Sequence, residues 1–143
     1  MSQRAPDYPP PNYITPPFPS LSLQPRDLTG DHRWSLYYLS DIWRFTVLWT
    51  IIFYAAVHLA AAAIAIAMQG GKKRSRVHLW VAPIIYVSVA MVQGLIAGSI
   101  VGVILAAVYN AGFFSMSTWL PALWGLINVL VLIISSFSIQ GAL

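Results

Sequence analysis

Residues 77–143 read VHLWVAPIIYVSVAMVQGLIAGSIVGVILAAVYNAGFFSMSTWLPALWGLINVLVLIISSFSIQGAL and contain no Asp, Glu, Lys or Arg. A second uncharged run of 27 residues spans Phe45 to Gly71. A soluble chain of 143 residues needs ionic groups over most of its surface, so water is the wrong solvent for this half. The hydrocarbon core of a bilayer is about 30 Å thick, and a helix needs roughly 20 apolar residues to cross it. The longer run supplies two crossings and the shorter one a third. The fold class is therefore an all-α membrane protein with three transmembrane helices.

The rest of the composition agrees. The chain is 58% hydrophobic and 8% charged, against about 25% charged in an ordinary globular domain. Cysteine is absent, so there are no disulfides or thiolate metal sites and redox compartment is unreadable. The first apolar run begins only at Phe45 and is too long for the h-region of a cleaved leader, so no signal peptide is expected.

Eight of the ten prolines lie in the first 25 residues. Proline lacks an amide proton and fixes φ, which forbids regular helix. Residues 1–28 are therefore expected to be a disordered, extended tail. Within it Pro10-Pro11-Asn12-Tyr13 has the P-P-x-Y form of a WW-domain ligand, or is a chance string in a proline-rich stretch. Residues 29–44 turn aromatic and amphipathic: Arg33, Ser40 and Arg44 cluster on a helical wheel, with Asp41 at their edge, while Trp34, Tyr37, Tyr38, Leu39, Ile42 and Trp43 occupy much of the remainder. Two readings stay open, a helix lying in the membrane interface or an N-terminal extension of the first span. Residues 45–143 form the membrane domain, with spans at about 45–68, 79–109 and 119–139. Pro83 falls in the first turns of the second span. Thr118 is a candidate N-cap for the third, with Pro121 in its first turn.

Lys72, Lys73, Arg74 and Arg76 lie between spans one and two. Such a cluster in a short loop faces the cytosol and anionic headgroups; it is read as a topological anchor rather than a nucleic-acid site. The N-terminus and the 110–118 turn are then lumenal, and the C-terminus cytosolic.

Inside the spans, Ala90, Gly94, Gly98, Gly102 and Ala106 recur every four residues. That spacing lays small side chains along one helix face, where another backbone can approach closely. The expected partner is the alanine-rich end of span one (Ala60–Ala63, Ala65, Ala67) or a second copy of span two. His58, Gln93 and Asn128 place one polar group near the middle of each span. A shared hydrogen-bonded layer would contribute roughly 0.6 to 2 kcal/mol per bond. A proton or solute path through His58 is the competing reading, weakened by the lack of any glutamate. His32, His58 and His78 show no metal-ligand spacing, and there is no nucleotide loop or G-x-S-x-G elbow. No enzyme, cofactor, metal or nucleic-acid partner is expected.

Trp43, Leu48-Trp49, Phe53 and His58, the basic loop, Ala97-Gly98, Val108-Tyr109 and Ser135 together give residues 41–143 a pattern that resembles the transmembrane protein 170 family. Gln93, Asn128 and the tail fall outside that pattern. The resemblance implies a small three-span protein of the endoplasmic reticulum and nuclear envelope. It further implies a role in favouring membrane sheets over tubules against reticulon-type curvature proteins. The functional expectation is a non-enzymatic organiser of membranes acting through helix–helix association, its partners being the lipid bilayer and a second copy or other multi-span proteins. The alternative is an accessory subunit of a transporter or channel.

The orientation has a direct check. In sealed microsomes a tag at the N-terminus is expected to be protected from added protease, and one in loop 69–78 digested; the reverse pattern refutes the assignment.

Overall fold

The computed structural model describes residues 8–21, 34–68 and 76–140. Among them the order is β1 (Ser35–Leu36), α1 (Leu39–Met68), α2 (Arg76–Ala111), β2 (Met116–Ser117) and α3 (Trp119–Gln140). All three helices are long and apolar enough to cross a bilayer. At 1.5 Å per residue α1, α2 and α3 measure about 45, 54 and 33 Å. Only α3 matches the hydrocarbon thickness, so α1 and α2 tilt or project beyond it. Lys72, Lys73 and Arg74 lie outside the described residues, and Arg76 is described only as the first helical position of α2.

Residues 39–44 continue α1 without a break, while Ser35–Leu36 before them form β1. The first turn is anchored by the Tyr38 carbonyl, which accepts from the amides of Asp41 and Ile42. Asp41 adds a carboxylate at the positive end of the helix dipole.

α1 is the central element: α2 packs along one side of it and α3 along another, while α2 and α3 hardly touch. A Cβ on Gly94 would stand 3.0 Å from the Ile51 Cα, one on Gly98 2.9 Å from the Val47 Cα, and one on Gly102 3.3 Å from the Trp43 Cα. Each step of four along α2 is matched by a step of four back along α1, the register of an antiparallel hairpin. Ala90 and Ala106, at the ends of the strip, are fully buried. The strip's partner is thus span one, but its aromatic first half, not the alanine-rich end. The reason is topological. A short loop pairs the end of α1 with the beginning of α2, so glycines in the second half of α2 must meet the first half of α1.

α3 uses the same device once. A Cβ on Gly125 would meet the Thr50 amide nitrogen and the Trp49 carbonyl carbon, both at 3.0 Å. Two apolar clusters complete the packing. Leu36, Ile42, Phe45, Leu105, Ala106 and Met116 close the end where the chain enters α1. Tyr54, Ala90 and Val129 join the three helices nearer the middle.

The α2–α3 turn is built by a Schellman cap. The Phe114 amide donates to the Tyr109 carbonyl and the Phe113 amide to that of Asn110, with Phe113 at φ 52°. Gly112 is needed for a different reason: the Phe114 ring lies over it, 2.6 Å from where a Cβ would stand. β2 follows and pairs antiparallel with β1, Ser35 opposite Ser117 and Leu36 opposite Met116. Thr118 occupies the N-cap place and its amide donates to the Trp34 carbonyl. Its buried hydroxyl, however, makes no hydrogen bond. An N-cap hydroxyl bonds the amide two or three positions on, and Pro121 has none to offer at the third.

Gly98→Leu is expected to disrupt the α1–α2 hairpin itself, because its first carbon already meets backbone. Gly98→Ala should cost about 1 to 3 kcal/mol by overpacking. Denaturation midpoints in detergent should order as wild type, then Ala, then Leu; unchanged midpoints would refute the packing.

Candidate functional site

The polar groups near mid-membrane do not form one layer. Asn128 Nδ2 donates to Thr50 Oγ1 at 3.2 Å, and the Tyr54 hydroxyl donates to the Asn128 carbonyl at 3.3 Å. Thr50 in turn donates to the Thr46 carbonyl, and Thr46 to that of Ile42, each at 2.8 Å. Both threonines are fully buried. Two buried hydroxyls, each bonded to the backbone carbonyl one turn back, therefore lie within α1, and that of Thr50 is joined to α3 by one asparagine. His58 bonds its own helix, Nδ1 lying 2.8 Å from the Tyr54 carbonyl. Its ring packs between those of Tyr54 and Tyr86, at 6.3 and 6.4 Å. Gln93 is exposed. Of the three polar residues only Asn128 is hydrogen-bonded between two helices; the partners it finds, Thr50 and Tyr54, escape a reading confined to amides and imidazoles. A Thr pair four residues apart in an otherwise apolar span was the available signal, as was Gly125, the lone glycine within the third span.

The second constellation lies at the end of the bundle where β1 and β2 pair. Residues 8–21 contain neither helix nor strand, as their proline content requires. They nevertheless lie along the entry to α1. The Tyr13 hydroxyl donates to the Ser35 carbonyl at 2.6 Å, and its ring stands edge-on to Tyr37 at 4.9 Å. Thr15 Oγ1 donates to Asp41 Oδ2 at 2.8 Å, giving the nearly buried carboxylate a partner. Phe18 reaches Phe45 and Trp49, centroids 5.5 and 5.4 Å away. Tyr8 approaches Phe113 at 6.2 Å. The segment is a strap, tying β1, the start of α1 and the α2–α3 turn together.

This arrangement uses the P-P-x-Y string structurally. The Tyr13 amide closes a turn onto the Pro10 carbonyl at 2.9 Å, whereas WW domains bind an extended polyproline conformation. The tyrosine is held by the strap rather than offered outward. Among the described residues no group of three or more His, Cys, Asp or Glu could hold a metal ion.

Burial and the neighbouring Asp41 carboxylate push the Tyr13 hydroxyl up to about 12. Only the neutral hydroxyl can donate to Ser35. The folded value lies above the unfolded one near 10, so the contribution of this bond is complete below pH 10 and is lost as pH climbs through 12. The difference between the tyrosinate absorbance titrations of wild type and Tyr13→Phe should be one group titrating near 12. Tyr13→Phe should also cost about 1 kcal/mol of stability at neutral pH. A difference group titrating near 10 would show instead that Tyr13 is free.

The chain is 38% identical over 133 residues to the uncharacterized protein YPR153W of Saccharomyces cerevisiae, covering 93% of this chain and 91% of that one. Coverage that wide leaves too few residues outside to omit Tyr13, Thr15 or Phe18, so the similarity extends into the strap. No solved structure matches the chain. The model of the transmembrane protein 170A/B-like family matches residues 35–143, from β1 through all three helices. This multi-pass membrane protein belongs to the transmembrane protein 170A/B-like family.

Proposed function

We propose that the protein is a non-enzymatic organiser of endoplasmic reticulum and nuclear-envelope membrane, acting through its shape and through association of its helices. One observation carries the reading: among the described residues the strap and the β1–β2 ladder add their bulk to the three helices at one end of α1 only. There the start of the helix meets the strap and the β1–β2 ladder in addition to its two neighbouring helices, and the rings of Tyr13, Phe18, Phe45 and Trp49 gather beside it. Toward its other end α1 runs through Ala60–Ala63, Ala65 and Ala67, side chains that add little width.

A body broad in one leaflet and narrow in the other is a wedge. With the basic loop cytosolic, the broad end is lumenal and adds area to the lumenal leaflet. A tubule demands the opposite, a larger cytosolic leaflet. The wedge therefore opposes tubule curvature and favours flat sheets, in keeping with the role implied by the family resemblance. The transport-subunit reading gains nothing from the geometry, since His58 is engaged by its own helix and two tyrosine rings.

Raised expression is expected to shift endoplasmic reticulum from tubules to sheets, and deletion of residues 1–21 to weaken that shift severalfold while membrane insertion persists. An unchanged sheet-to-tubule ratio at raised expression would overturn the proposal. So would an N-terminus found on the cytosolic side, which inverts the wedge.

A further inference from the structure

Gln93 has a predicament that the fold does not resolve. It is exposed on α2, one position before Gly94, whose contact with Ile51 fixes its depth. Ile51 adjoins Thr50, which also meets Gly125 of α3. Gln93 therefore lies level with the middle of the bundle, about one turn from the centre of the membrane-crossing stretch Val81–Ala111. On the same stripe of α2 stand Val89, Ile96 and Ile100, at 44, 57 and 59% exposure. A primary amide, with two donors and an acceptor, is thus set in an apolar face at hydrocarbon depth. Leaving it unbonded there is costly. Roughly 10 Å of hydrocarbon, the half-bilayer less about one helical turn, separates it from water, too far for so short a side chain to snorkel.

We infer that this stripe is a self-association face, and that its occupant is the same stripe of a second copy of the chain. Any copy inserted with the same topology carries its Gln93 at the same depth. A two-fold axis along the membrane normal then sets amide against amide. Each donates an N–H to the other's carbonyl and accepts one in return, a self-complementary pairing of the kind an isologous interface requires. The flanking Val89, Ile96 and Ile100 are β-branched and stiff at χ1, so little side-chain freedom is lost on contact. The glycine strip cannot serve instead, because Gly94, Gly98 and Gly102 are already filled by α1.

This deepens the association half of the proposed function and rests on it, and it is read out separately from membrane morphology. The chain has no cysteine, so single thiols report without background. In lipid vesicles Ile100→Cys is expected to oxidise to a dimer of the chain. Leu95→Cys, exposed on another side of α2, is expected to remain monomeric at the same protein-to-lipid ratio. Adding Gln93→Leu to Ile100→Cys should reduce the dimer roughly tenfold, as expected for two lost interhelical hydrogen bonds, with helix content unchanged by circular dichroism. Equal cross-linking from both cysteine positions, or undiminished dimer without the glutamine, overturns the inference. So does an Ile100→Cys adduct in native membranes whose mass is that of a different protein. Dimers without any effect on sheets would defeat the functional reading and leave this one standing.

Discussion

Everything in this molecule depends on how closely the backbones of α1 and α2 approach. At Gly98 and Val47 the helices are so near that one added carbon would stand 2.9 Å from a Cα atom. Lipid tails are as apolar as the side chains they surround, so no hydrophobic gain drives such helices together; close packing and hydrogen bonds must do so. The glycine strip makes that packing possible. α3 then joins the same central helix through Gly125 and through the Asn128–Thr50 hydrogen bond. α1 is the post to which both neighbours are fixed.

Much of this was written in the sequence, for reasons that differ by element. Charge exclusion over residues 45–71 and 77–143 locates the three spans because the solvent itself selects them. The small-residue strip is legible because a four-residue repeat puts its members on one face whatever they meet. The strip's partner differs from the expected one in the end of α1 it touches, Trp43 to Ile51, and the hairpin's own geometry supplies the reason. The polar layer failed where depth alone was used: His58, Gln93 and Asn128 lie within the spans, but direction around each helix decides what a side chain reaches. Gln93 points away, and the buried hydroxyls of Thr46 and Thr50 take part without resembling polar sites in a hydropathy reading. The strap was the least visible. Its contacts join Tyr13 to Ser35 and Thr15 to Asp41, pairs separated by 22 and 26 positions. No local pattern in a proline-rich stretch announces partners so distant.

The strap also changes how Asp41 is understood. As a lone acid beside an apolar span it looked like one edge of a polar face. In the fold it is nearly buried at the first turn of α1, accepting from Thr15 and biasing the Tyr13 hydroxyl toward its neutral form. Helix dipole, hydroxyl and carboxylate thus share one small region, which gives the entry to α1 an ordered polar lining without an ion pair among the described residues.

The two-stranded ladder has a consequence for biogenesis. β1 precedes the first helix and β2 immediately precedes the third, so the ladder can form only after α2 has been made and β2 has followed it out of the ribosome. The strands emerge on the same face of the translocation channel once α1 and α2 have crossed. Pairing of Ser35–Leu36 with Met116–Ser117 can therefore latch the hairpin in its final alignment, and with Thr118 the one residue between β2 and α3 it also sets where the last helix starts.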